Sequence, residues 1–309
     1  MDFFDRFFGR GVPEPDADPV ANPRLESPLS LQLLFDAPLD LDGDALALML
    51  RTFHEELGDA KAEIVDISKV DPPQEVAEEE PPTFLGLVGW GKQVVKLVGF
   101  NFPMPRTPVE ACVRPAHIAG EIKQAAYDHS SHALLYYAGY ETEPHEQYVG
   151  LAAVAAGLAR LGAMIVMNEP ARTAIPAVAL LPHDDDPGDF MQMLRTLPIP
   201  LLYGGFVKLE VDEVPGVWMR TFGNHLLQLP DLAYHAPGHE DGSNIFEVFG
   251  HMLDYLRESG RTFAPGDTMQ VGRDFHLTLR DRTTTEWYLE SDGEMLVAEA
   301  TSATKLPPG

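Results

Sequence analysis

Along residues 29–167 the apolar positions switch repeatedly between a period of two and a helical period, and this alternation constrains the fold more than any other feature. Residues 29–35 (LSLQLLF) read as a strand. Asp42 or Asp44 then caps a helix whose Leu46, Met49, Leu50, Phe53 and Leu57 share one face, with Gly58 as its stop. A second strand is expected over 62–67, and 83–90 with 94–102 form a hairpin split by Gly91-Lys92-Gln93. Pro115 sits near a first helical position, with Ile118, Ile122 and Ala125 facing inward. Residues 131–140 (SHALLYYAGY) return to a strand, 147–161 form an Ala- and Leu-rich helix closed by Gly162, and 163–167 form another strand. This order predicts an α+β class: a ferredoxin-like split βαβ unit with an added helix and strand.

The Asp-rich segment from His183 to Gly188 marks the expected boundary. The chain divides into a Phe-rich segment and acidic tether (1–28), an α+β domain (29–183) and a smaller, mixed α+β domain (184–309). In the last of these, 206–211 and 216–222 alternate like strands, and 224–235 continue irregularly or as a strand. Asn244 with Glu247 has the logic of a capping box and opens a helix bearing Ile245, Val248, Phe249, Met252 and Leu256, ended by Gly260. Pro265-Gly266 suits a type II turn, and Asp292-Gly293 suits a hairpin joining 285–290 to 294–300.

Charge then limits function. Among 309 residues, 48 Asp and Glu face 22 Lys and Arg, a formal net charge of -26. Nucleic-acid binding needs basic side chains to neutralise phosphates, and this field repels them; an anionic membrane surface is disfavoured for the same reason. A basic protein would be attracted. The lone Cys112 excludes an internal disulfide and a thiolate metal cage, and with no visible secretory leader or spanning apolar run a cytoplasmic setting is expected. Phe3, Phe4, Phe7 and Phe8 form a short helical stripe expected to dock on the body of the protein or on a partner.

Candidate chemistry is sparse. His235 and His239, with Glu240 beside them, are four residues apart, but Pro237 and Gly238 break the helix that would align them. His129 and His132 can face one ion, or serve the last carbonyls of a preceding helix. No HExxH, GxSxG or phosphate-binding glycine loop is present, and no cofactor is implied. Trp90, Trp218, Trp287, Tyr136, Tyr137 and Tyr140 read either as a ligand wall or as core and cross-strand pairs.

Arg220-Thr-Phe-Gly223, then Gln228-Leu-Pro-Asp-Leu232, a helix, and Pro265-Gly-Asp-Thr268 together resemble the bacterial domain-of-unknown-function family 4261. Gln228 and Asp231 stand where a small residue and Glu are more usual in that family. The resemblance is clearest over residues 220–268. It implies a bacterial cytoplasmic protein without an established activity or catalytic residues to carry across.

The expectation is therefore a non-enzymatic protein-binding module, immunity-, inhibitor- or adaptor-like, whose carboxylates Glu78, Glu79, Glu80, Asp184, Asp185 and Asp186 meet a basic partner. The alternative is a metal-dependent hydrolase using His235, His239 and nearby carboxylates.

Overall fold

The computed structural model describes residues 2–10, 18–69, 81–182, 189–271 and 275–301. The chain forms two compact units, one of residues 1–169 and 174–197, the other of 170–173 and 198–309. Helices and two sheets make the class α+β.

The first unit contains, in chain order, α1 (Phe3–Phe7), β1 (Ser30–Phe35), α2 (Gly43–Phe53), β2 (Lys61–Asp66), β3 (Phe84–Trp90), β4 (Gln93–Phe100), α3 (Arg106–Val113), α4 (Gly120–Tyr127), β5 (Ser131–Tyr137), α5 (Pro144–Arg160), β6 (Ala163–Asn168), β7 (Thr173–Pro176) and α6 (Phe190–Arg195). The sheet order is β2-β3-β4-β5-β1-β6-β7. β1 is antiparallel to both β5 and β6. β5 and β6 therefore run the same way, are joined by α5 and are split by β1. The seven-stranded sheet has one strand, β7, more than the six read from the sequence.

Side chains alternate across this sheet, and each face finds its own cover. Leu34, Ile165 and Met167 pack under Val109, Cys112 and Val113 of α3 and Ala126 of α4. α2 and α5 lie against each other, and α5 also lies on β1, β4, β5 and β6. Asp42 caps α2 by accepting from Ala45 N–H at 2.8 Å. Pro144 opens α5, where a missing N–H costs nothing because the first turn has no acceptor for it. Pro115, by contrast, falls between α3 and α4 and starts neither helix. The buried Cys112 thiol faces Asn168 O at 3.8 Å.

The aromatic N-terminus docks on its own unit. Phe3 and Phe7 are buried with Leu87, Val94 and Ala138, and the Arg6 guanidinium pairs with Glu63 and, at 3.6 Å, with Asp18.

The second unit contains β8 (Gly205–Val211), β9 (Val214–Phe222), β10 (Asp231–Ala236), α7 (Gly242–Ser259), β11 (Thr268–Val271), β12 (Phe275–Asp281) and β13 (Met295–Thr301), with strand order β11-β12-β13-β10-β9-β8. β10 and β13 are parallel neighbours; the remaining pairs are antiparallel. α7 buries Ile245, Val248, Phe249, Met252 and Leu256, the face expected from their spacing, and ends at Gly260 with φ 63°. Its beginning differs from expectation. The helix starts at Gly242 after Asp241, so Asn244 and Glu247 lie inside it rather than forming a capping box. The expected strand over 285–290 is also absent: Trp287–Leu289 is a single 3-10 turn, and β13 pairs instead with β10 and β12.

No helix among the described residues is long and apolar enough to cross a membrane.

Candidate partner-binding cleft

The motif residues of 220–232 build a frame before they build any site. Arg220 is 1% exposed, and its Nη1 donates to Tyr288 O at 3.3 Å and Glu290 O at 3.1 Å. Its guanidinium carbon lies 3.9 Å from the centre of the Phe222 ring. Burial lowers the affinity of this guanidinium for its proton, and nearby Asp231 opposes that shift. Asp231 accepts from Thr221 Oγ1 at 3.2 Å, from Asn224 N at 3.3 Å and from Ser291 Oγ. Gly223, with φ 81°, makes the turn into the 3-10 segment Asn224–Leu227. Gly266, with φ 97°, supports the expected turn, and its N–H donates to Leu279 O at 2.7 Å. These contacts fix residues 282–291 as a strap across one face of the sheet. Held by its carbonyls to Arg220 and by Ser291 to Asp231, the strap cannot also extend as a ladder strand.

The strap is closed at its other end by Arg280. Its two Nη atoms hold both oxygens of Glu286, at 2.8 and 2.7 Å, and its Nε holds Glu299 at 2.6 Å. Glu286 also accepts from Thr283 N at 2.7 Å. These donors hold the Glu286 carboxyl down at about 2, Arg280 first among them, against the opposing effect of burial.

Between strap and sheet lies a cleft of about 310 Å³. Its wall is Trp218, stacked on His235 with ring centres 4.7 Å apart, a cross-strand pair of β9 and β10. The His235 ring lies across β9 and donates from Nε2 to Pro215 O at 2.8 Å. Gly216 makes this placement possible: a Cβ there would stand 2.9 Å from His235 Nε2 and 2.5 Å from Ala236 O. Arg280, Glu286 and Glu299 supply charge on the other side. Next to Glu286, Trp287 is 69% exposed, the most exposed of the large apolar side chains described. Tyr288 joins the two tryptophans, 5.8 Å from Trp218 and 5.7 Å from Trp287. A larger groove of about 500 Å³ runs between α7 and β11, but no Asp, Glu, Lys or Arg lines it.

The residues proposed from sequence fall elsewhere, His235 excepted. His239 donates from Nε2 to Glu210 at 2.7 Å, so the two imidazoles serve different neighbours, and Glu240 is exposed in the 3-10 turn after β10. His129 is fully committed. Its Nε2 accepts from Met104 N at 2.8 Å, which leaves Nδ1–H to donate to Ala126 O at 2.7 Å near the end of α4. His132 donates from Nδ1 to Phe102 O at 2.8 Å and stacks on Phe100. Burial lowers the pKa of both rings. Among the described residues no three His, Cys, Asp or Glu side chains gather as a metal site. Glu78, Glu79, Glu80, Asp184, Asp185 and Asp186 lie outside the described residues.

Sequence reasoning missed Arg280, Glu286 and Glu299. They share no period: the register of β12 and β13 brings Arg280 to Glu299, and the strap brings Glu286 to Arg280. An exposed-strand Trp followed by Tyr in an otherwise polar segment (TTTEWYLES) was the available signal.

Residues 220–296 match the family described as a domain of unknown function (DUF4261), the family that the motifs resemble. The matched segment contains the frame and, of the cleft lining, Tyr234, His235, Arg280 and Glu286; Trp218 and Val297 to Ala300 lie just outside its ends. No curated protein and no solved structure matches the chain.

Proposed function

We propose that the protein is a non-enzymatic binding module for a basic protein partner, in the manner of an immunity, inhibitor or adaptor protein. The observation that carries this reading is a cleft walled by aromatic rings and edged by Glu286 and Glu299, with the exposed Trp287 following Glu286 in the strap. A large aromatic side chain left in water beside a concave, partly charged surface has the composition of an interface anchor. The net charge of -26 supplies long-range attraction for a partner of opposite sign, and the acidic stretches around Glu78 to Glu80 and Asp184 to Asp186 add to it.

The alternative, metal-dependent hydrolysis at His235 and His239, has less support because each ring is engaged with a different neighbour. Stoichiometric zinc or manganese in the purified protein, lost on His239→Ala, would reverse the preference.

The direct test is a pull-down with the full chain at about 0.05 M and about 0.5 M salt, bracketing strong and weak screening. The proposal expects a basic protein retained at low salt and released at high salt. Identical profiles at both concentrations would count against it.

A further inference from the structure

We infer that the cleft takes an extended segment of the basic partner as an added strand laid between β10 and β13; this deepens the binding reading above and rests on it. The register is the first argument. The parallel pairing of β10 and β13 runs from Asp231↔Met295 to Tyr234↔Ala298 and stops there. Both strands continue. β10 goes on against β9 through His235↔Trp218 and Ala236↔Val217, and β13 goes on against β12 through Glu299↔Thr278, Ala300↔Leu277 and Thr301↔His276. Two parallel neighbours thus part company at their carboxyl ends while each keeps its outer partner.

Successive residues of a strand direct their N–H and C=O groups to alternate sides, so beyond Ala298 the inner edge of β13 has no strand opposite it among the described residues. On β10 the inner edge after Tyr234 is that of His235 alone, since Ala236 O turns toward Gly216 of β9. A free edge is a template for another extended chain, and strand addition is an established mode of peptide recognition.

Charge selects the occupant. In an added strand every second side chain turns to the face that carries Trp218, Glu286 and Glu299. Two carboxylates there share one Arg280, so the local balance is negative, and Glu299 has a largely exposed side chain. Lysine or arginine at alternate positions meets those carboxylates and the exposed ring of Trp287.

The test uses the full chain and a short peptide that alternates lysine with valine, titrated calorimetrically. Three comparators accompany it: the same peptide N-methylated at alternate amides, a glutamate-for-lysine version, and the Trp287→Ala protein with the parent peptide. N-methylation removes main-chain donors at constant charge, so strand addition expects weakening of about tenfold or more. The glutamate version should not bind, and Trp287→Ala should weaken binding by about tenfold. Equal affinity for the N-methylated and parent peptides would overturn strand addition and leave charge attraction standing. Absence of peptide binding, alongside a basic partner recovered in the salt-dependent pull-down, would also overturn it. Absence of both would sink the binding reading itself.

Discussion

Arg220 and Glu286 divide the work of holding the strap, and each predicts its own phenotype. Truncating Arg220 to Ala opens a cavity beside Phe222 and leaves Tyr288 O and Glu290 O without their donor. A loss of about 2–4 kcal/mol is expected, read as a lower urea midpoint. Glu286 carries a pH signature. Its carboxyl sits at about 2 in the folded chain against 4.5 for the ordinary group, so it adds stability above about pH 4.5, and that contribution disappears as pH falls toward 2. Glu286→Gln should therefore cost about 1.5–3 kcal/mol near neutrality and much less near pH 2, measured by urea titration across that window. Asp231 slopes the other way, because burial pushes its carboxyl upward despite its hydrogen bonds. Comparing wild type with the Glu286 variant at each pH isolates the one group. Trp287, exposed and anchoring nothing internal beyond its contact with Tyr288, should be replaceable by Ala with a stability change within about 0.5 kcal/mol. If Trp287→Ala unfolds the protein, its assignment to a binding rim is wrong.

At the scale of elements, the sequence reveals what is periodic and hides what depends on register. The face of α7, the cap of α2 and the strand patterns of the first unit are local, and Ile245 to Leu256 or Leu46 to Phe53 declare them. The start of α7 was misread because Asn244 and Glu247 satisfy a motif whose use depends on where the chain enters the helix. The strap was misread as a strand because β-forming Trp, Tyr and Thr sit in it, while the donors that fold it back lie on Arg220 and Arg280, far away in sequence. The cleft was invisible for the same reason: its walls come from β9, β10, β12 and β13. Gly216 offers a test at this scale. With φ 95° and Ala236 O within 2.5 Å of any Cβ, Gly216→Ala should destabilise by at least about 1 kcal/mol and displace the His235 ring from Trp218. A thermal melt and the near-ultraviolet circular dichroism of the stacked pair would register both. An unchanged spectrum and midpoint would refute the claim that this glycine sets the wall of the cleft.

For the whole molecule, the proposed reading assigns encounter to charge and choice to the cleft. A net charge of -26 accelerates approach of any basic chain and must be screened by salt. It does not select among such chains, whereas a fixed aromatic wall, two carboxylates on one guanidinium and a parted strand pair impose shape. The family match over residues 220–296 covers the frame around which these features are built. The most direct measurement of that claim is amide hydrogen exchange of the full chain, free and saturated with the lysine–valine peptide. The account predicts slowed exchange at His235 and Ala236, at Glu299 to Thr301, and in the strap from Glu286 to Tyr288. Protection at the outer edge strand β8, or none in these three segments while the peptide is bound, would contradict it.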